Sequence, residues 1–160
     1  MNKARTKPGQ REIDPKKLAD DALVYRLLRL VNLLAKPFAQ LHGERYKLSL
    51  QEWRIMLALA AHPGATATEI SDWTGVHLMN VSRSIARLLR MKRVVREVDP
   101  ADRRRGLLRL SPTGDRLFRE IAPSAQSREL VLREALSAAE MRSLRQMLDK
   151  VIERLRTESE

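Results

Sequence analysis

The sequence predicts a mostly α-helical protein with one small β-hairpin. Two observations carry that prediction. Apolar residues recur every three or four positions through most of the 160 residues, and five of these runs open on a helix-capping signal. Only between Val94 and Leu110 does the period fall to two. The length suits one domain or two small lobes sharing a core, and a hydrophobic content of 43% is enough to pack one.

The first helix is expected from Pro15 to His42. Asp14-Pro15 sets a capping side chain before a proline at the first helical position. Leu23, Leu27, Leu30, Leu34, Phe38 and Leu41 make one apolar stripe, with Val24, Leu28, Val31, Ala35 and Ala39 beside it. A surface this wide is expected to be buried on more than one side. Pro37 has no amide hydrogen and should kink or break the helix near Leu33.

A second helix, Leu50 to Ala61, opens on the Ser49-x-x-Glu52 capping box and stops before His62-Pro63-Gly64. A third, Ala67 to Thr74, opens on Thr66-x-x-Glu69 and closes on Gly75. A fourth spans His77 to Met91, after which Val94–Val98 and Gly106–Leu110 read as two strands joined by residues 99–105. The fifth helix starts after Ser111-Pro112 and runs toward Leu136, with a kink expected at Pro123. The last covers Ala138 to Arg156 behind Ser137-x-x-Glu140. Its Met141, Leu144, Leu148, Val151 and Leu155 form a seam about two heptads long. That is too short for a free coiled coil. The first and last helices nevertheless carry more apolar surface than a small helical lobe can cover, so they are read together as a dimerisation layer.

Three helices, a strand, a basic loop and a strand make a winged helix-turn-helix. Ser71 lets the second and third of those helices approach, and Gly75 supplies the left-handed turn between them. Val81, Ile85, Leu88 and Leu89 give the fourth helix its inner face. Leu78, Met79, Asn80, Ser82, Arg83, Ser84 and Arg87 are left on outer or flanking positions. Asn can pair with adenine, Arg with guanine, and Met can touch a thymine methyl. Met79, Asn80, Ser82, Arg83, Ser84 and Arg87 are therefore the expected contacts of a recognition helix, the two serines reaching phosphate. In the loop, Asp102, Arg103, Arg104 and Arg105 are the expected wing contacts. Consecutive arginines repel one another unless an anion is near, and a narrow minor groove attracts them. Asp102 is expected to orient a neighbouring arginine.

The formal net charge is +11, with 31 basic and 20 acidic residues. Residues 1–17 carry +4 of it and residues 76–110 carry +7, so the other 108 residues are neutral. Charge concentrated on one helix–hairpin unit favours a polyanion. Aromatic residues make up 4% of the chain and none lies within 76–110, which argues for duplex DNA over RNA or single strands, whose bases stack on rings. No apolar run approaches the roughly 18 residues of a membrane span. No apolar segment follows the basic N-terminus, so a cytoplasmic protein is expected. The absence of cysteine excludes disulfides and thiolate metal sites. His42, His62 and His77 lie far apart, and no phosphate loop or paired-carboxylate motif is present. No enzymatic activity, cofactor or metal is expected.

From Leu48 to Leu117 the chain resembles the MarR-type winged-helix regulators. The stretches that carry the likeness are LSLQEWRIMLALAAHPGATATEISDWTGV, NVSRSIARLLRMKRVV and DPADRRRGLLRLSPTGDRLF. The family's Asp-x-Arg wing motif falls on Asp102 and Arg104. The resemblance implies a homodimer held by the terminal helices, with recognition helices in successive major grooves of a pseudo-palindromic operator and wings in the minor grooves. It also implies a repressor released by a small phenolic or aromatic acid. His77-Leu78-Met79 stand where relatives often carry polar or charged residues. The lack of cysteine sets the chain apart from members that sense thiol oxidation.

The expected organisation is a basic tail (1–13), an N-terminal dimerisation region (14–47), a winged helix-turn-helix (48–112) and C-terminal dimerisation helices (113–160). An effector pocket is expected where the first, second and fifth helices meet, with Tyr25, Arg26, Arg29 and Trp53 as candidates. An arginine beside apolar walls suits a carboxylate, and an aromatic suits a ring. The competing expectation is a non-specific architectural DNA- or RNA-binding protein without an effector.

Overall fold

The computed structural model describes residues 15–16, 22–102 and 105–158. Six main helices and one hairpin follow in the order α1 (Leu23–Phe38), α2 (Leu50–Ala61), α3 (Ala67–Thr74), α4 (Leu78–Arg90), β1 (Val94–Val98), β2 (Gly106–Leu110), α5 (Pro112–Ala135) and α6 (Ala138–Thr157). The chain divides into two compact units, residues 1–37 and 38–160. Asp14, the expected first cap, lies outside the described residues. No described helix is long and apolar enough to cross a membrane.

In the first unit, α1 carries its leucines without burying them. Leu23, Val24, Tyr25, Leu28, Leu30, Val31 and Leu33 are all exposed. The expected burial on more than one side is therefore not met within a single chain. Pro37 does not break α1 near Leu33 either, because the helix runs through it to Phe38. The irregularity comes afterwards, as a π-helical turn over Ala39–Gly43 and a single α turn over Glu44–Tyr46. In that turn the backbone bonds lengthen to i→i+5.

The second unit folds around α2, α3, α4, the hairpin and the start of α5. Leu48, Ile55, Met56, Leu59, Ile70, Val81, Ile85, Leu88, Val94, Leu108 and Ile121 form its core. The three capping boxes are made as their spacing predicts, on Ser49–Glu52, Thr66–Glu69 and Ser137–Glu140. These reciprocal bonds set the starts of α2, α3 and α6. Ser111 Oγ caps α5 by accepting from Gly114 N at 3.0 Å.

The strands pair antiparallel with Val94 opposite Leu110 and Val98 opposite Gly106. A further bridge joins Ala65, just before α3, to Leu108: Leu108 N donates to Ala65 O at 3.0 Å, and Gly64 N donates to Leu108 O at 2.8 Å. This bridge ties the hairpin to the entry of the helix-turn-helix. A one-residue pairing is too short to show as a period in the sequence.

The corner between α4 and β1 is closed without glycine. Lys92 takes a left-handed φ of +55°. Arg93 N donates to Leu88 O, and Lys92 N to Leu89 O, both at 2.9 Å, the bond pair of a Schellman ending. Ser111 then clamps the corner, its Oγ donating to Lys92 O at 2.6 Å and its N to Arg93 O at 3.0 Å. Gly114 lets the first turn of α5 lie directly on this strand start. A Cβ there would stand 1.9 Å from Arg93 O. Gly114→Ala is accordingly expected to lower unfolding stability by about 3 kcal/mol through overpacking. Urea denaturation checks this, and an unchanged midpoint would refute the close approach.

Candidate nucleic-acid interface

The turn between α3 and α4 is built from short polar groups and one glycine. Gly75 adopts φ +65° at the end of α3. Ser71, expected only to permit close approach, also donates its hydroxyl to Val76 O at 2.7 Å and fastens the turn. His77 caps α4, its Nδ1 accepting from Met79 N at 3.2 Å. The inner stripe of α4 is then Val81, Ile85 and Leu88, all fully buried.

The opposite face of α4 is open. Met79 is 58% exposed. Asn80, Ser82, Arg83, Ala86 and Arg90 are exposed as well. Met79, Arg83, Ala86 and Arg90 follow one another at helical spacing and form a continuous outer row. Ala86 was not among the expected contacts, since a lone alanine carries no chemical signal. No described carboxylate pairs with Arg83 or Arg90 among the ion pairs found.

Two of the expected contacts stand apart from that row. Ser84 is half-buried, because it shares the i, i+3, i+4, i+7 stripe of Val81, Ile85 and Leu88. Arg87 is half-buried and already bonded. Its Nε lies 3.2 Å from Glu52 Oε1, and its terminal nitrogen donates to Lys47 O at 3.0 Å. Arg87 thus takes a flanking position on α4, with its guanidinium turned toward α2.

Glu52 is 1% exposed and its other carboxylate oxygen accepts from Ser49 N at 2.7 Å. Arg93, buried beside it, donates to Tyr46 O. Burial pushes the Arg93 guanidinium below its ordinary range, and the Glu52 carboxylate opposes that shift. None of this cluster was foreseen beyond the capping role of Glu52.

The hairpin tip turns on Asp99, whose carboxylate accepts from Ala101 N at 2.8 Å and whose N donates to Arg105 O at 3.1 Å. Arg105 N donates to Asp102 O at 2.9 Å. Arg103 and Arg104 lie outside the described residues. The Arg105 guanidinium turns back toward Glu69 at 3.7 Å and Asp99 at 3.9 Å, distances that leave it loosely held. Between the hairpin and the start of α3 lies a groove of about 520 Å³, flanked by Arg96 and Arg105 and floored by Thr66, Glu69 and Leu108. Arg96 is a further basic side chain at this edge that was not expected in the site.

Of the expected effector residues, Trp53 is enclosed in the second unit. It is 5% exposed, with Phe118 stacked at 5.3 Å and Phe38 at 5.8 Å between ring centroids. Those rings take the contacts a ligand ring would need, so Trp53 is core. Tyr25, Arg26 and Arg29 are exposed on α1. Among the described residues no cluster of acids and histidines could hold a metal ion.

Residues 46–105 match the MarR family model. Over those residues the chain is similar to that family. Solved structures of MarR-type regulators show a similar fold over most of the chain. A MarR/EmrR family transcriptional regulator from an Acinetobacter species superposes with a TM-score of 0.78 at 24% identity, over 87% of this chain and 98% of that one. BpsR of Bordetella bronchiseptica, whose DNA binding is regulated by 6-hydroxynicotinic acid, gives 0.71 at 25% identity, over 83% and 94%. The transcriptional repressor CouR, solved on a 23-mer DNA duplex, gives 0.69 at 25% identity, over 88% and 99%. No curated protein matches the sequence. The MarR-type fold is thus mostly α with a two-stranded wing, as the order of elements predicts.

The α3 cap joins this domain's stability to pH. The Thr66 backbone amide, then the Thr66 hydroxyl, hold the Glu69 carboxyl below its ordinary value of 4.5, and Arg105 adds to the effect. A depressed folded pKa means that the contribution is complete above 4.5 and fades as pH drops through the lower folded value. Thr66→Ala is expected to cost about 1 kcal/mol at neutral pH. The stability gap between wild type and Glu69→Ala should narrow on acidification, as read by denaturant titration at several pH values. A gap that widens in acid would refute the assignment.

Proposed function

We propose that this chain is a homodimeric transcriptional regulator that binds double-stranded DNA sequence-specifically and acts as a repressor released by a small aromatic or phenolic acid. The observation that carries the reading is the open face of α4. Met79, Asn80, Ser82 and Arg83 offer a methyl-seeking group, an amide, a hydroxyl and a guanidinium on a helix whose other face is buried, which is the inventory that reads major-groove edges. The wing, with Asp102, Arg103, Arg104 and Arg105, is assigned to the backbone and minor groove, where clustered arginine is favoured. Ser84 is assigned at most a phosphate contact. A cytoplasmic site of action follows from a DNA partner.

Dimerisation is supported by apolar surface that the single chain leaves in water. Beside the leucines of α1, Met147, Leu148, Val151, Ile152 and Leu155 of α6 are all exposed. Exposed apolar rows of this extent, on each helix taken by itself, mark association surfaces. In domain terms we assign residues 14–47 and 113–160 to that layer and 48–112 to DNA, with residues 1–13 as a basic tail. A repressor bound to a duplex and a regulator answering to a hydroxylated aromatic acid are both found among the structural neighbours. On this chain Tyr25, Arg26 and Arg29 are the proposed effector contacts, an arginine for the carboxylate and the phenol for the ring.

Titration with duplex DNA, single-stranded DNA and duplex RNA tests the partner. Duplex DNA should compete best, and equal binding of all three would favour a non-specific nucleic-acid protein. Asn80→Ala should change which sequence is preferred, at roughly 1–3 kcal/mol per lost base contact. Equal loss on every duplex would reject base reading by Asn80. Leu148→Asp is expected to give monomers by sedimentation and to abolish tight duplex binding. A variant that stays dimeric would place the seam within one chain.

A further inference from the structure

We propose that Glu52 and Arg87 form a positioning strut that sets the roll of α4, and that Arg87 acts on DNA recognition through Glu52 and not by touching DNA. The proposal rests on the DNA-binding reading above. Its basis is the pairing of a buried carboxylate with a guanidinium from the recognition helix. Glu52 Oε1 pairs with Arg87 Nε at 3.2 Å, while the same carboxylate accepts from Ser49 N at 2.7 Å. A second nitrogen of Arg87 donates to Lys47 O at 3.0 Å. Arg87 is thereby held at two points, one on the first turn of α2 and one on the residue in left-handed conformation, φ +49°, that precedes it.

The other contacts of α4 cannot do the same work. Val81, Ile85 and Leu88 meet the core through apolar packing, which resists separation but is non-directional. A guanidinium held by one hydrogen bond to a backbone carbonyl and by an ion pair to a buried carboxylate is confined in orientation. Asn80 precedes Arg87 by seven residues, so the two share one face of the helix to within a small angle. Fixing Arg87 therefore fixes the direction in which Asn80 points, and Arg83 one turn before it. Arg93 is buried in the same region and donates to Tyr46 O. The charge on Arg87 is already balanced by Glu52, which removes the reason for it to seek a phosphate.

The test compares wild type, Arg87→Gln, Arg87→Lys, Glu52→Gln and the Glu52→Gln/Arg87→Gln pair on a preferred duplex and a scrambled one, over a range of salt. Circular dichroism at the assay temperature confirms folding. The strut predicts that Arg87→Gln and Glu52→Gln each reduce the preference for the chosen duplex about tenfold while binding to the scrambled duplex is unchanged, the size expected for one displaced base contact. The salt slope of Arg87→Gln should equal that of wild type, whereas Arg104→Gln in the wing should lose about one unit. The paired variant should be no worse than the poorer single one. Arg87→Lys should not rescue, because one ammonium cannot span both acceptors. A slope lower by one unit in Arg87→Gln, or losses that add in the paired variant, would overturn the proposal and make Arg87 a phosphate contact. If Glu52→Gln does not fold, the slope of Arg87→Gln decides alone. A wild-type chain that binds no duplex overturns the DNA reading itself, an outcome separate from any result on the variants.

Discussion

A carboxylate removed from water has to find donors, and the donors that Glu52 finds tie the winged domain together. Its position as the fourth residue of a capping box commits one oxygen to the start of α2. The other oxygen is left in the core and is met by Arg87 from α4. An unpaired carboxylate there would be costly, so the pairing is obligatory once α2 and α4 pack. The same packing brings Arg93 to the Tyr46 carbonyl and anchors the corner where α4 turns into the wing. Recognition helix and wing are thus referred to one fixed point on α2.

Around that point the polar bonds follow a single logic. Each joins a segment that reads the partner to one that does not. Ser71 fastens the turn before α4, the Ala65–Leu108 bridge fastens the hairpin to the entry of α3, and Ser111 clamps the Lys92–Arg93 corner beneath α5. Apolar burial supplies most of the cohesion, but these bonds supply direction. On the DNA-binding reading proposed above, a surface matching groove geometry would depend on direction more than on total burial.

The parts legible in the sequence are those governed by local chemistry. Capping boxes announced the starts of α2, α3 and α6, Gly75 announced the turn, and the change of period marked both strands at their observed bounds. Elements set by contacts between distant residues were not legible. The exposed position of Ala86 carries no side-chain signal. The inward reach of Arg87 depends on Glu52, 35 positions earlier. Lys92 holds a left-handed conformation where glycine is the usual sign, so its Schellman ending was hidden. On sequence grounds Trp53 reads as a core ring more readily than as a ligand ring, and in the structure it packs in the core between Phe38 and Phe118. Half-burial of Ser84 was readable in principle, because Val81, Ser84, Ile85 and Leu88 already form a helical stripe.

The positive charge takes on a sharper meaning in this setting. Part of the positive charge on residues 76–110 is matched within the domain: Arg87 pairs with Glu52 at 3.2 Å, and Arg109 pairs with Glu97, already counted in the net +7, at 2.7 Å. Among the described residues, Arg83, Arg90, Lys92, Arg96 and Arg105 are exposed. A smaller set of outward cations beside an open polar row suits a reader of sequence better than a general polyanion binder. Selection of bound duplexes from a random pool tests that claim most directly. The account predicts a recovered palindrome whose half-sites lie about one duplex turn, roughly 34 Å, apart. Recovery of no common sequence, or of a single unpaired half-site, would contradict it.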